Sequence, residues 1–199
     1  MSLLSNGCNI NEQADMSKQL RLFVGIFPTQ STQEQLNLEA KNLSNKLQTE
    51  VRLLAPEVLH LTVKFIGNVD EARLGDLTAA FLKATGNLPS ASLQIKQFML
   101  FPSRRKPRVV AAEIERSPEL DYIFQFFDRG FSDLGIVAEG RPFNPHITVA
   151  RARRWKKETI SPVPVQLVEP IRSVSLVHSQ PTSEGAKYNI LSSVQLPTE

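Results

Sequence analysis

Apolar positions Leu20, Leu22, Val24 and Ile26 recur at every second residue and predict a buried strand ending at Pro28. Thr29 can cap a following helix over 31–47, where Leu36, Ala40, Leu43 and Leu47 fall at spacings of three and four. A short strand over 51–54 comes next, then an apolar run around His60, then a helix over 70–84 with Leu74, Leu77, Phe81 and Leu82 on one face. Residues 92–101 and 108–114 read as strands joined by a loop with Pro102 and Pro107. Ser117, Pro118 and Glu119 open a helix that reaches about Leu134 before Gly135. A strand around His146 follows, Pro162, Pro164 and Pro170 interrupt the next stretch, and strands over 171–179 and 188–196 close the chain. Residues 1–18, polar and without pattern, read as a flexible extension, so 19–199 form a single domain.

Within this pattern one stretch repeats. His60-Leu61-Thr62-Val63 returns as His146-Ile147-Thr148-Val149, each inside a strand-like run. Residues two apart in a strand share a face, so each His projects beside its Thr while the intervening apolar residues enter the core. The two histidines are separated by close to half of the chain beyond residue 18. The expected architecture is α+β and bilobal: two pseudo-symmetric lobes of antiparallel sheet with helices outside, each giving one His-x-Thr strand to a central cleft.

Composition narrows the class without deciding it. With 199 residues and 41% apolar content the chain can bury a sizeable core, and a formal charge of +3 tolerates a polyanionic substrate. A single cysteine, Cys8, excludes a disulfide framework and a multi-cysteine metal cage. Neither a membrane-length apolar run nor a secretory signal is present, and the expectation is a soluble, cytoplasmic monomer with no obligate protein partner. No His-x-His or His-x-x-x-His spacing suggests a metal site, and no cofactor is expected.

Two imidazoles can divide the proton transfers of a phosphodiester displacement, one taking a proton from the attacking oxygen and the other giving one to the leaving oxygen. Thr62 and Thr148 can donate hydrogen bonds to the non-bridging oxygens as charge develops. His178 lacks a Thr two residues on and reads as structural or peripheral. The basic stretches at 104–108 and 151–157 are solvated loops or an RNA-backbone track, with Trp155 a candidate stacking surface.

His-Leu-Thr-Val-Lys-Phe-Ile-Gly and Pro-His-Ile-Thr-Val-Ala-Arg resemble the paired signatures of the 2H phosphoesterase superfamily, specifically the RNA 2',3'-cyclic phosphodiesterases, or 2'-5' RNA ligases. Arg21 to Pro28 is similar to the family's first strand, and Ser175 to Ser179 with Gly185 and Tyr188 to its last hairpin. The resemblance implies metal-independent hydrolysis of RNA 2',3'-cyclic phosphate ends to 2'-phosphates, with reversible 2'-5' ligation as the same chemistry run backwards. It implies His60 as general acid, His146 as general base, and Thr62 and Thr148 as phosphate ligands. It also places Phe65 and Arg151 at the terminal nucleotide, Phe65 to stack on a base and Arg151 to stack or bind phosphate. Lys64 departs from the family's aliphatic pattern and is expected to face solvent. The alternative from another class is a non-catalytic RNA-binding module.

Overall fold

The computed structural model describes residues 18–103, 105–152, 154–156, 161–183 and 185–197. Except for Lys18, the expected N-terminal extension lies outside them, as do Arg104, Arg153 and Lys157 of the two basic stretches. The elements in chain order are β1 (Gln19–Ile26), α1 (Gln30–Ser44), β2 (Arg52–Leu53), β3 (Leu61–Asp70), α2 (Leu74–Leu82), β4 (Ser92–Phe101) and β5 (Val109–Ile114). There follow α3 (Pro118–Gly130), β6 (His146–Arg151), β7 (Val163–Pro170), β8 (Ser173–Thr182) and β9 (Gly185–Gln195). The fold is α+β, an antiparallel sheet with peripheral helices.

Strand order in the sheet is β7-β4-β5-β6-β3-β1-β8-β9, with the two-residue β2 also beside β6. At the middle of this order β3 and β6 meet through one residue pair, Leu61 opposite Ile147. On one side lie β3-β1-β8-β9 and on the other β6-β5-β4-β7. The inner strands are linked alike, β1 to β3 through α1 and β5 to β6 through α3. The helices cross over: α1 packs against β6 and β7, α3 against β3.

Local chemistry accounts for these positions. Thr29 caps α1 by accepting from the Thr32 amide, and its own amide and hydroxyl both donate to the buried Glu169 carboxylate of β7, at 2.6 and 2.9 Å. A carboxylate there also complements the positive end of α1. Ser117 caps α3, whose Leu120, Ile123 and Phe127 form the buried stripe, with Phe127 stacked on Phe81 of α2 at 5.4 Å.

Strand β7 corrects the reading of 162–170 as interrupted chain. It is an outer strand, paired among the described residues with β4 alone, and there the missing N–H of Pro164 and Pro170 is tolerated. The helix expected over 70–84 begins with a 3₁₀ turn at Glu71–Arg73, because the Asp70 side chain caps that turn through the Ala72 amide.

Candidate active site

The two His strands carry the same irregularity. Along β3, Gly25 of β1 lies opposite Thr62 and Val24 opposite Lys64, so Val63 is an extra residue, a β-bulge. Along β6, Ala111 lies opposite Thr148 and Val110 opposite Ala150, so Val149 is extra. Strict alternation would put a residue five positions after each His on the face opposite that His. One inserted residue reverses the phase. Phe65 therefore falls opposite Phe23, on the same face as Thr62 opposite Gly25. Likewise His146, Thr148 and Arg151 lie opposite Glu113, Ala111 and Val109, alternate residues of β5 that share one face. The register thus brings each set of three expected residues to one face, and the Leu61–Ile147 contact brings the two sets side by side. Phe65 is 63% exposed and Arg151 is exposed, while both threonines are half-buried.

The imidazoles are held identically. His60 Nδ1 lies 2.8 Å from the Val58 carbonyl, and His146 Nδ1 lies 2.8 Å from the Asn144 carbonyl, each two residues back. A carbonyl only accepts, so each Nδ1 carries the proton and each neutral ring offers the Nε2 lone pair. Thr62 Oγ1 lies 3.1 Å from His60 Nε2 and donates to it when the ring is neutral.

Aromatic rings distinguish the two histidines. Phe23, Phe27 and Tyr188 surround His60 at centroid distances of 4.7, 5.4 and 5.0 Å. Phe23 reaches it by lying along β1 over Gly25, where an added Cβ would stand 2.9 Å from the ring. Among the described residues His146 has one such partner, Phe101, stacked at 4.0 Å. Burial lowers the pKa of His60 to about 4, opposed by the hydrogen bond to Val58 and reinforced by the charges of Arg151 and His146. Burial lowers that of His146 as well, against the hydrogen bond to Asn144. Tyr188 is raised by burial, with Arg151 and Arg21 acting the other way.

Lys64 corrects a sequence expectation. The bulge at Val63 turns it to the helix side of the sheet, where its side chain is 3% exposed and its ammonium lies 2.6 Å from Asp128 Oδ1 of α3. It also donates to the Val137 carbonyl at 2.7 Å, and Asp128 Oδ1 accepts from the Glu139 amide at 2.8 Å. This buried pair fastens the His60 strand to the segment leading into His146. Trp155 is likewise no open stacking surface: its ring packs against the core and its Nε1 is buried. His178 lies opposite Leu22, on the face away from His60. Among the described residues, no group of three or more His, Cys, Asp or Glu side chains is placed to share a metal ion.

Tyr188, Phe23 and Phe101 are site residues that the motif spacing did not single out, since they come from strands distant in sequence. Phe23 and Tyr188 fall in stretches that carry the family resemblance, which gave them no role. Phe101 had no signal beyond being aromatic at the end of a strand.

Comparison with known proteins agrees with this arrangement. Residues 26–111 match the family described as LigT like Phosphoesterase. An RNA 2',3'-cyclic phosphodiesterase of Thermus thermophilus is 28% identical over 192 residues, covering 90% of this chain and 92% of the relative. One of Thermotoga maritima is 25% identical over 181 residues, covering 86% and 93%. A crystal structure of a Thermus thermophilus protein superposes with a TM-score of 0.77 at 27% identity, covering 88% of this chain and 97% of that one. Motif, fold and relatives converge on the LigT-like RNA 2',3'-cyclic phosphodiesterases of the 2H phosphoesterase superfamily, which this chain resembles in sequence and in fold.

Proposed function

We propose that this protein hydrolyses RNA 2',3'-cyclic phosphate ends to 2'-phosphates by histidine acid–base catalysis, in a cleft between two pseudo-symmetric lobes. The observation that carries the reading is the pair of His-x-Thr strands, bulged at the same position, fixed in the same tautomer and joined at Leu61–Ile147. The matching strand orders on either side of that junction support the two-lobe description.

In this mechanism His146 Nε2 takes a proton from water as its oxygen attacks phosphorus. His60 Nε2 delivers a proton to the 3' oxygen as the P–O3' bond breaks, leaving the phosphate on the 2' oxygen. Thr62 and Thr148 donate to the non-bridging oxygens, where negative charge grows. Phe65 offers its exposed ring to the terminal base and Arg151 its guanidinium to the base or a phosphate. An acid and a base of this kind need no metal ion in principle. Because buried His60 is neutral at rest, the anionic phosphate itself favours its protonation on binding. With an RNA 5'-hydroxyl in place of water as the nucleophile, the same displacement breaks the P–O3' bond and joins the ends through a 2'-5' bond.

The test is hydrolysis of an oligonucleotide ending in a 2',3'-cyclic phosphate, with EDTA present, identifying the product isomer. The wild type should give the 2'-phosphate, and His60→Ala and His146→Ala should each lose at least ~100-fold. A wild type that binds this RNA without cleaving it would instead be an RNA-binding module.

A further inference from the structure

Tyr188 comes from β9, beyond β8 and β1 from the His60 strand, yet the register carries it to the same face. Phe23 lies opposite Val177 of β8, Ser179 stands two residues further along, and Tyr188 lies opposite Ser179. Phe23 in turn lies opposite Phe65, so Tyr188 shares the face of Phe65 and Thr62. Its ring stands edge-on to His60, at an interplanar angle of 86°, and rests on Phe23 and Phe27 at centroid distances of 5.2 and 6.3 Å. The residue is half-buried, and among the described residues its hydroxyl has no hydrogen-bond partner. Two charges act on the phenol, those of Arg151 and Arg21. Arg151 belongs to β6 and acts on His60 as well, so the phenol oxygen borders the space between the two His strands. Burial raises the phenol above its ordinary value of 10, so the oxygen keeps its proton and donates. Thr62 Oγ1, 3.1 Å from His60 Nε2, is a second hydroxyl donor at the same ring. Hydroxyl donors flanked by guanidinium groups suit an anion.

We infer that Tyr188 is a further catalytic residue, whose hydroxyl donates to a non-bridging oxygen of the cyclic phosphate on the side of the leaving 3' oxygen. The inference rests on the phosphodiesterase reading above and adds a third hydroxyl to those of Thr62 and Thr148. Negative charge on that oxygen grows as water attacks, so the hydrogen bond is stronger in the transition state than in the bound substrate.

The experiment compares the wild type with Tyr188→Phe, which keeps the ring against Phe23, Phe27 and His60 and removes only the oxygen. On an oligonucleotide ending in a 2',3'-cyclic phosphate, kcat and kcat/KM should fall together by about 100-fold, with the thermal melt and both limbs of the pH profile unmoved. Both proteins are then assayed on the two diastereomers of the cyclic phosphorothioate, each with sulfur, a poor acceptor, in place of one non-bridging oxygen. For one diastereomer the oxygen-to-sulfur rate ratio should be about tenfold smaller in Tyr188→Phe, because the contact that sulfur weakens is already gone. Activity unchanged by Tyr188→Phe, or ratios equal in the two proteins for both diastereomers, would overturn the inference alone. So would a loss accompanied by a lower melting temperature or a displaced limb, which assigns it to packing on His60. A wild type inactive on the oxygen substrate overturns the phosphodiesterase reading as well.

Discussion

A histidine kept neutral in the folded protein and free to take a proton once unfolded makes stability sensitive to acid. His60 titrates near 4 when folded, against 6.5 unfolded, so between those values the unfolded chain binds more protons. Its contribution is fully present above pH 6.5 and is lost as pH falls towards 4, by up to about 3 kcal/mol. His146 shifts in the same direction. Urea midpoints should therefore drop across that window, and less steeply in His60→Gln; equal slopes for the two proteins would refute this. In kinetics, both limbs of the kcat/KM profile should lie below 6.5, because that quantity reports the free enzyme's groups. A second residue-scale prediction concerns Gly25. Gly25→Ala displaces the Phe23 ring that lies over it, and with it the packing on His60. Activity should fall by about tenfold with a stability loss of about 1–3 kcal/mol from overpacking, which paired kinetics and thermal melts would show. That each His would share a face with the Thr two residues on was legible, because strand geometry alone sets it. Their aromatic surroundings were not, because contacts between distant strands leave no local trace.

At the scale of elements, the bulges decide what each strand presents. Period-2 reading carries His60 and Thr62 correctly to one face, then assigns Lys64 to it and Phe65 to the core. The extra residue at Val63 exchanges them. Hydropathy gives no sign of this, since Val63 is apolar and buried whether or not it is bulged. Strand β7 escaped for a related reason: Pro164 and Pro170 forbid a central strand and say nothing against an outer one. The consequence for Lys64 is energetic. Lys64→Met leaves the Asp128 carboxylate buried without its cation and should cost about 3 kcal/mol, whereas Lys64→Met with Asp128→Leu should recover much of that loss. Denaturant midpoints of the single and double variants measure it, and a double variant no more stable than the single one would count against the pair as the cause.

For the whole molecule, the crossing of α1 and α3 matters more than the single Leu61–Ile147 pair that joins the central strands. Each helix follows a strand of one half and packs on strands of the other, so neither half can lose its helix without disturbing both. Unfolding should then be one transition. Trp155, the only tryptophan and packed against the core, provides a local probe to set beside far-UV circular dichroism. Coincident curves are expected; a separate Trp155 transition would show the halves to be independent. The α+β class with its antiparallel sheet was legible in the sequence. The crossing was not, because helix periodicity states which face is buried and not which strand covers it.

The bulges at Val63 and Val149 also bear on how such a cleft can change over generations. Third positions at Phe65 and Arg151 are fixed addresses: a strand held in register by its neighbours offers no slack for adding or deleting a residue. On the proposed mechanism, substitution there would alter what the site grips while leaving the imidazoles undisturbed, whereas a one-residue deletion would move Lys64 to the face of His60 and Phe65 into the core. New preferences can therefore arise by exchanging side chains at these addresses, and the chemistry is inherited intact.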